Sequence, residues 1–104
     1  MAGRKVVWTK TADIQFVGVL NYWVNKNKSP NYSRKLVGSV AKRTRQIAKS
    51  PLIYRSTNFM NTRVAPFGNY SIFYKVTEAE IIITAFWDNR QDPEKLLKVL
   101  KKQQ

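Results

Sequence analysis

The stretch GNYSIFYKVTEAEIIITAFWDNRQDP, residues 68–93, decides the fold of this chain. Two runs rich in β-branched and aromatic residues, 70–76 and 80–87, flank a short polar segment, which is the pattern of a β-hairpin. The second run is nearly continuous in apolar character, as expected of a strand that is covered on both faces. It ends in a cluster of polar side chains at 88–92, where a small protein can present a site.

Two helices are predicted before this hairpin. A short first strand at 5–9 leads to a helix at 12–26, which Thr9 or Thr11 can cap. Apolar residues recur in it at helical spacing and predict a broad buried face made of Ile14, Phe16, Val17, Val19, Leu20, Trp23 and Val24. Ser29 as N-cap and Pro30 at the first helical position predict the start of a second helix, which runs to about residue 49.

The remaining elements complete an α+β pattern. Residues 52–60 have no clear periodicity and are expected to form a loop, followed by a strand at 61–65. Asp92 as N-cap and Pro93 predict a short C-terminal helix. The order β-α-α-β-β-β-α predicts one α+β domain over residues 1–104, in which a two-helix hairpin packs on an antiparallel sheet.

The charge of the chain indicates an anionic partner. Lys and Arg number 19 against 6 Asp and Glu, a formal net charge of +13, and residues 14–77 contain no carboxylate. Such a field attracts nucleic acid or an acidic protein and speeds encounter with either. A basic surface that serves only solubility is the alternative.

Composition also limits the possible chemistry. The chain has no cysteine and no histidine, which excludes disulfides, thiolate nucleophiles and imidazole bases, so no metal or cofactor is expected. Catalysis would depend on Arg, Lys, Tyr, Ser or carboxylates. No apolar run approaches the roughly 20 residues that cross a bilayer, and residues 1–10 lack a signal-peptide core. A cytoplasmic protein without a membrane partner is expected.

The candidate site lies at the end of the last strand. Arg90 can hold a phosphate in bidentate fashion or pair with Asp88 or Asp92, and both possibilities remain open. Arg63 on the preceding strand could line the same surface. Alternation along the strand at 70–76 predicts that Ser71, Phe73 and Lys75 point away from the helices and are accessible. The candidate target- or phosphate-binding residues are therefore Arg63, Ser71, Phe73, Lys75, Asp88 and Arg90, whereas Tyr70, Tyr74, Phe86 and Trp87 are expected mainly in the core.

The order of these motifs resembles the RelE/ParE toxin superfamily. The resemblance covers the opening Val-Val-Trp-Thr at 6–9, the helical hairpin with its Ser29-Pro30 break, Ser50-Pro51 and residues 69–96. It implies the toxin of a type II toxin–antitoxin pair, which a cognate acidic antitoxin neutralises. An acidic antitoxin also agrees with the net charge of this chain.

Two activities are known for this fold, and the resemblance favours one of them. RelE-like members cleave mRNA on the ribosome without a metal; here such an endoribonuclease would use Arg63, Lys75 and Arg90 as catalytic residues. ParE-like members instead bind DNA gyrase. The RNase branch typically has an arginine where this chain has Ser71, and no tyrosine follows Tyr74 to stack at the C-terminus. The long helical hairpin also favours the gyrase-directed branch. A non-toxic basic nucleic-acid-binding module is a third possibility.

The excess of positive charge leads to a direct test. Because like charges repel one another in the compact chain, added salt or a polyanion should raise the midpoint of thermal unfolding. The measurement is a thermal melt followed by circular dichroism over a salt series. A midpoint that does not respond would argue against a functional basic surface.

Overall fold

The computed structural model describes residues 3–102 and contains the predicted elements in the predicted order. They are β1 Lys5–Trp8, α1 Lys10–Asn27, α2 Asn31–Lys49, β2 Thr62–Phe67, β3 Tyr70–Val76, β4 Glu80–Asp88 and α3 Pro93–Lys101. The α+β class and the N-terminal two-helix hairpin are thereby confirmed. Within the described residues, no helix has the length and apolar character needed to span a bilayer.

The four strands form one mixed sheet in the order β1-β4-β3-β2. β3 runs antiparallel to both β2 and β4, as the hairpin pattern predicts. β1 pairs with β4 in parallel, from Lys5 opposite Glu80 to Trp8 opposite Ile83. The sheet is therefore not wholly antiparallel, because the helical hairpin between β1 and β2 carries the chain across one face of the sheet before the remaining strands are added.

Local signals explain most of the element boundaries. Thr9 Oγ1 accepts a hydrogen bond from the Ala12 N–H and caps α1. α2 begins one residue later than expected, and Ser29 Oγ accepts from the Asn31 N–H. β2 continues through Pro66, which is tolerated because β2 is an edge strand. Gly68, with φ of 58°, supplies the left-handed conformation that the β2–β3 turn needs.

A β-bulge at Thr84 divides β4 into two halves. Phe73 lies opposite Ala85, but the next residue of β3, Tyr74, lies opposite Ile83, so Thr84 is an extra residue. Ile83 before the bulge and Phe86 after it consequently pack in the same core cluster. Ala85 packs in the cluster on the other face of the sheet.

The larger core lies between the sheet and the helical hairpin. α2 buries Leu36, Val40 and Ile47 there. α1 contributes a narrower stripe than expected, consisting of Ala12, Phe16, Val19, Leu20 and Trp23. Ile14 and Val17 are 60% and 45% exposed, so the prediction that they are buried was wrong. A helix lying on a sheet buries only one stripe of its surface, and α1 has more apolar residues than this stripe can hold.

A second, smaller core covers the opposite face of the sheet. α3 packs Leu96, Val99 and Leu100 against Phe73 and its neighbours on β2 and β4. Phe73 is only 8% exposed, so the expectation that it is accessible to a ligand was wrong. The alternation of side chains between the two faces of β3 was predicted correctly, but α3 covers the face to which Phe73 belongs.

Two side chains of the sheet hold the loop between α2 and β2. The Tyr74 hydroxyl donates to the Pro51 carbonyl oxygen at 2.7 Å, and Arg63 Nη1 donates to the Tyr54 carbonyl oxygen at 2.7 Å. Residues 52–60 form no helix, as predicted, and Ser56 makes an isolated β-bridge with Arg63. Tyr74 is fully buried, and this burial raises the pKa of its phenol to about 12.

Tyr74→Phe should destabilise the fold by about 1–3 kcal/mol at pH 7, because the Pro51 carbonyl loses a buried donor. The substitution should also remove the loss of stability that ionisation of this phenol causes at high pH. The phenol ionises near pH 10 in the unfolded chain but near 12 in the folded protein, so wild-type stability falls as pH rises between these values, by up to about 2.7 kcal/mol.

Urea unfolding from pH 7 to 12 measures both effects of Tyr74→Phe. Tyr32→Phe, which alters a partly exposed hydroxyl, is the matched control and should follow the wild type. Equal slopes for Tyr74→Phe and wild type above pH 10 would contradict the assignment.

Candidate functional site

The polar corner between β4 and α3 is held by hydrogen bonds within the corner itself. Asp88, the last residue of β4, accepts from the Arg90 backbone N–H at 2.9 Å, and its carbonyl oxygen accepts from the Gln91 N–H. Asp92 Oδ1 accepts from the Glu94 N–H and caps α3. Ser71 Oγ donates to Asn89 Oδ1 at 2.7 Å, which ties the corner to β3. The corner is therefore an ordered turn.

Arg90 and Asp88 form a bidentate ion pair. Arg90 Nε donates to Asp88 Oδ1 at 3.0 Å, and Nη2 donates to Oδ2 at 2.7 Å. The hydrogen bonds from Arg90 lower the pKa of the Asp88 carboxyl and raise the pKa of the Arg90 guanidinium. The Arg90 side chain is 61% exposed and that of Asp88 is 18% exposed. Of the two pairings that the sequence left open, Asp88 is the observed one.

A groove of about 420 Å³ lies between α1 and this corner. We call it the Arg90 groove; it is lined by Gln15, Gly18, Val19, Tyr22, Tyr70, Asp88, Arg90 and Gln91. Gln15 reaches across from α1, and its Oε1 accepts from the Phe86 N–H at 2.9 Å. β1 pairs with β4 only as far as Ile83, so Gln15 supplies the acceptor that a longer β1 would have provided. The Arg90 groove thus combines one face of α1 with the end of β4.

A second groove, of about 660 Å³, lies beside the loop that precedes β2. We call it the Arg63–Lys75 groove; its lining includes Leu52, Ser56, Thr62, Arg63, Lys75 and Ile82. The cross-strand row formed by Thr62, Lys75 and Ile82 provides its sheet side. Arg63 also holds the loop through the Tyr54 carbonyl, so part of its hydrogen-bonding capacity is used within the fold.

The candidate residues divide between these two grooves. Arg63 and Lys75 share one, while Asp88 and Arg90 border the other. Arg63 lies opposite Tyr74 and Asp88 lies opposite Tyr70, so about 13 Å of β3 separates the two rows. Ser71 is bonded to Asn89, and Phe73 is buried under α3. The expectation that Arg63 lines the same surface as Arg90 is therefore not met.

Sequence reasoning missed the α1 side of the Arg90 groove. Gln15, Gly18 and Tyr22 are all on α1, far in sequence from the polar corner. Their spacing of three and four residues places them on one helical face. The glycine in the interior of the predicted helix was the feature of the sequence that could have indicated this face. In residues 3–102, no three acidic, histidine or cysteine side chains are arranged to hold a metal ion.

Comparison with known proteins agrees with this architecture. Residues 6–93 match the family model of the ParE toxin of type II toxin–antitoxin systems, parDE. A structure described as the chromosomal ParDE TA system from P. aeruginosa superposes with a TM-score of 0.71 at 16% sequence identity. The match covers 82% of this chain and 95% of that chain. No curated protein sequence matches this chain.

The fold is thus that of a RelE/ParE superfamily toxin. Because the family model covers most of its length, the chain belongs to the ParE toxin family of type II toxin–antitoxin systems.

The Asp88–Arg90 pair should give a small acid-dependent contribution to stability. Because the folded pKa of Asp88 is lowered, the contribution is present above the ordinary pKa of aspartate and is lost as pH falls through the lowered value. An exposed pair of this kind contributes little to stability, because water screens the charges. Asp88→Asn should therefore lower the free energy of unfolding at pH 7 and reduce the loss seen on acidification.

Urea unfolding at pH 7 and pH 3 separates these effects. Asp92→Asn is the matched control, because asparagine caps a helix about as well as aspartate, and it should retain the acid-dependent loss that Asp88→Asn reduces. The assignment would be wrong if Asp88→Asn lost as much stability on acidification as the wild type.

Proposed function

We propose that this ParE-family toxin acts by binding DNA gyrase and that a cognate acidic antitoxin neutralises it. The observation that carries the proposal is the separation of the cations that an RNA-cleaving site would need. A nuclease without histidine has to gather several cationic donors around one phosphate to stabilise the charge that develops there. Arg63 and Lys75 border one groove and Arg90 borders another.

The individual side chains also favour a binding role over RNA cleavage. Tyr74 is buried, donates to the Pro51 carbonyl and has a pKa raised to about 12. It is thus poorly suited to accept a proton from a ribose hydroxyl. Arg90 is paired with Asp88, and Ser71 stands where an RNase of this superfamily would have arginine. Binding to a protein target needs none of these groups to act as a catalyst.

An acidic antitoxin is supported by charge and by a third groove. The +13 net charge favours a partner of opposite sign. Along the edge strand β1 runs a largely apolar groove of about 390 Å³, with lining residues that include Val6, Trp8, Phe16, Val37, Val40 and Ala41. An edge strand beside an apolar groove is suited to a partner chain that contributes a strand or an amphipathic helix. We assign this β1 groove to the antitoxin. A gyrase-directed toxin would act in the cytoplasm.

A gyrase assay with purified protein tests the proposal. The toxin should block supercoiling of relaxed plasmid by gyrase, and its induction in cells should cause gyrase-linked DNA breaks without codon-phased mRNA cuts. Because a chain with +13 charge can coat DNA, relaxation of the supercoiled form of the same plasmid by topoisomerase I is the control and should be unaffected. Mapping of RNA 5′ ends after induction completes the measurement.

The alternative, ribosome-dependent mRNA cleavage, predicts different results. It is favoured only by the shared groove of Arg63 and Lys75. It requires codon-phased cuts after induction, a loss of those cuts in Lys75→Ala, and unimpaired supercoiling. Such a set of results would replace the gyrase proposal with the nuclease.

A further inference from the structure

We infer that the Arg90 groove is the surface of this toxin that binds gyrase and that it receives a carboxylate-bearing segment of that protein. The inference rests on the gyrase-directed function proposed above and adds the site and the chemistry of the contact. It is carried by the shape of the groove, its hydrogen-bond donors and the exposed aromatic residues beside it.

Gly18 leaves room for a partner in the middle of α1. Apart from its chain neighbours and the backbone of its own helix, a Cβ atom added at Gly18 would meet no heavy atom of the described residues within 4 Å. Tyr22 lies one helical turn further along α1, and Arg90 lines the opposite side of the groove. A glycine in a helix interior costs stability relative to alanine, and packing within the described chain does not require it here. A partner side chain therefore has room to enter the Arg90 groove over Gly18.

The donors of the Arg90 groove favour a carboxylate. Arg90 bonds Asp88 through Nε and Nη2, so Nη1 is directed away from that ion pair. Gln15 uses Oε1 to accept from the Phe86 N–H, which leaves its amide NH₂ as a donor. The Tyr70 hydroxyl accepts from Trp23 Nε1 at 2.9 Å and therefore retains its own proton to donate. A carboxylate can accept from several such donors at once.

An exposed aromatic cluster adjoins the groove and provides contact area. Trp23 makes edge contacts with Tyr22 and Tyr32, with ring centroids 5.1 Å apart in each pair. Lys26 Nζ lies over the Tyr22 and Trp23 rings. Tyr22 is 48% exposed and Tyr32 is 42% exposed. Tyrosine, tryptophan and arginine are the residues that most often dominate binding energy at protein interfaces.

The character of the surface favours gyrase over the antitoxin as its occupant. The β1 groove is largely apolar, which suits a long-lived complex with an antitoxin. The Arg90 groove instead combines the Arg90–Asp88 ion pair, two amides and two tyrosine hydroxyls with apolar side-chain surface. It is therefore more polar than the β1 groove, as expected of a surface that also exists free in water. The two grooves share no lining residue, so they can be tested separately.

Two glycines provide a matched pair of substitutions. Gly38 lies in α2 and is exposed. As at Gly18, a Cβ atom added there would point into open space among the described residues. Leucine at either position removes a helix glycine and adds the same apolar side chain, so both variants should melt several degrees above the wild type. Only Gly18→Leu fills the Arg90 groove.

The experiment measures gyrase binding and supercoiling inhibition with purified gyrase. Gly18→Leu should raise the toxin concentration for half-inhibition about tenfold or more, Gly18→Ala should raise it less, and Gly38→Leu should leave it unchanged. Arg90→Lys, which keeps the charge but loses the planar fork, should also weaken binding. Thermal melts of every variant show that the fold is retained.

Several outcomes would overturn the inference. Gly18→Leu that is folded and inhibits gyrase as well as Gly38→Leu does would exclude the Arg90 groove as the gyrase surface. If Gly18→Leu kept gyrase inhibition but lost binding to a labelled poly(U) strand, the occupant would be RNA. If the wild type sedimented as a dimer and Gly18→Leu as a monomer, while gyrase inhibition was kept, the occupant would be a second copy of this chain. A wild-type protein that does not inhibit gyrase at all would refute the proposed function itself.

Discussion

The structure depends on the burial of β4 on both of its faces. This strand pairs with β1 on one side and β3 on the other, and it contributes to both core clusters. Such a strand orders every element around it, because the helical hairpin and α3 each need one of its faces to bury their apolar stripes. The bulge at Thr84 makes this possible by turning Phe86 to the hairpin side and Ala85 to the α3 side. The site corner begins where β4 ends.

That arrangement separates two chemical environments along the sheet. At the end of β4, Asp88 and Arg90 form a local ion pair beside α1. Near the start of β2, Arg63 holds the preceding loop, and Lys75 borders the same groove. The length of β3 separates the two sets of cations along the sheet. The proposal of a gyrase-binding toxin rests on this separation, because a metal-free nuclease needs its cationic donors around one phosphate.

The net charge of +13 has consequences for both proposed partners. It speeds encounter with any acidic surface, but it carries little information about which surface is bound. Selectivity therefore has to come from shape and from placed donors. The β1 groove offers an edge strand beside apolar side chains, and the Arg90 groove offers hydrogen-bond donors beside the open space over Gly18. A toxin that has to meet a target and an antitoxin benefits from surfaces of different chemistry.

The sequence by itself determined the features that depend on neighbours along the chain. The β3–β4 hairpin, both long helices, the cap at Asp92 and the charge all follow from residues close in sequence or from composition. The structure selected Thr9 over Thr11 as the cap of α1 and Asp88 over Asp92 as the partner of Arg90. The tertiary structure alone decided the parallel placement of β1, the bulge at Thr84, the burial of Phe73 under α3 and the meeting of Gly18 with Arg90. These features depend on strand register and on which helix covers which face, and propensities and periodicity do not contain that information because they describe one element at a time.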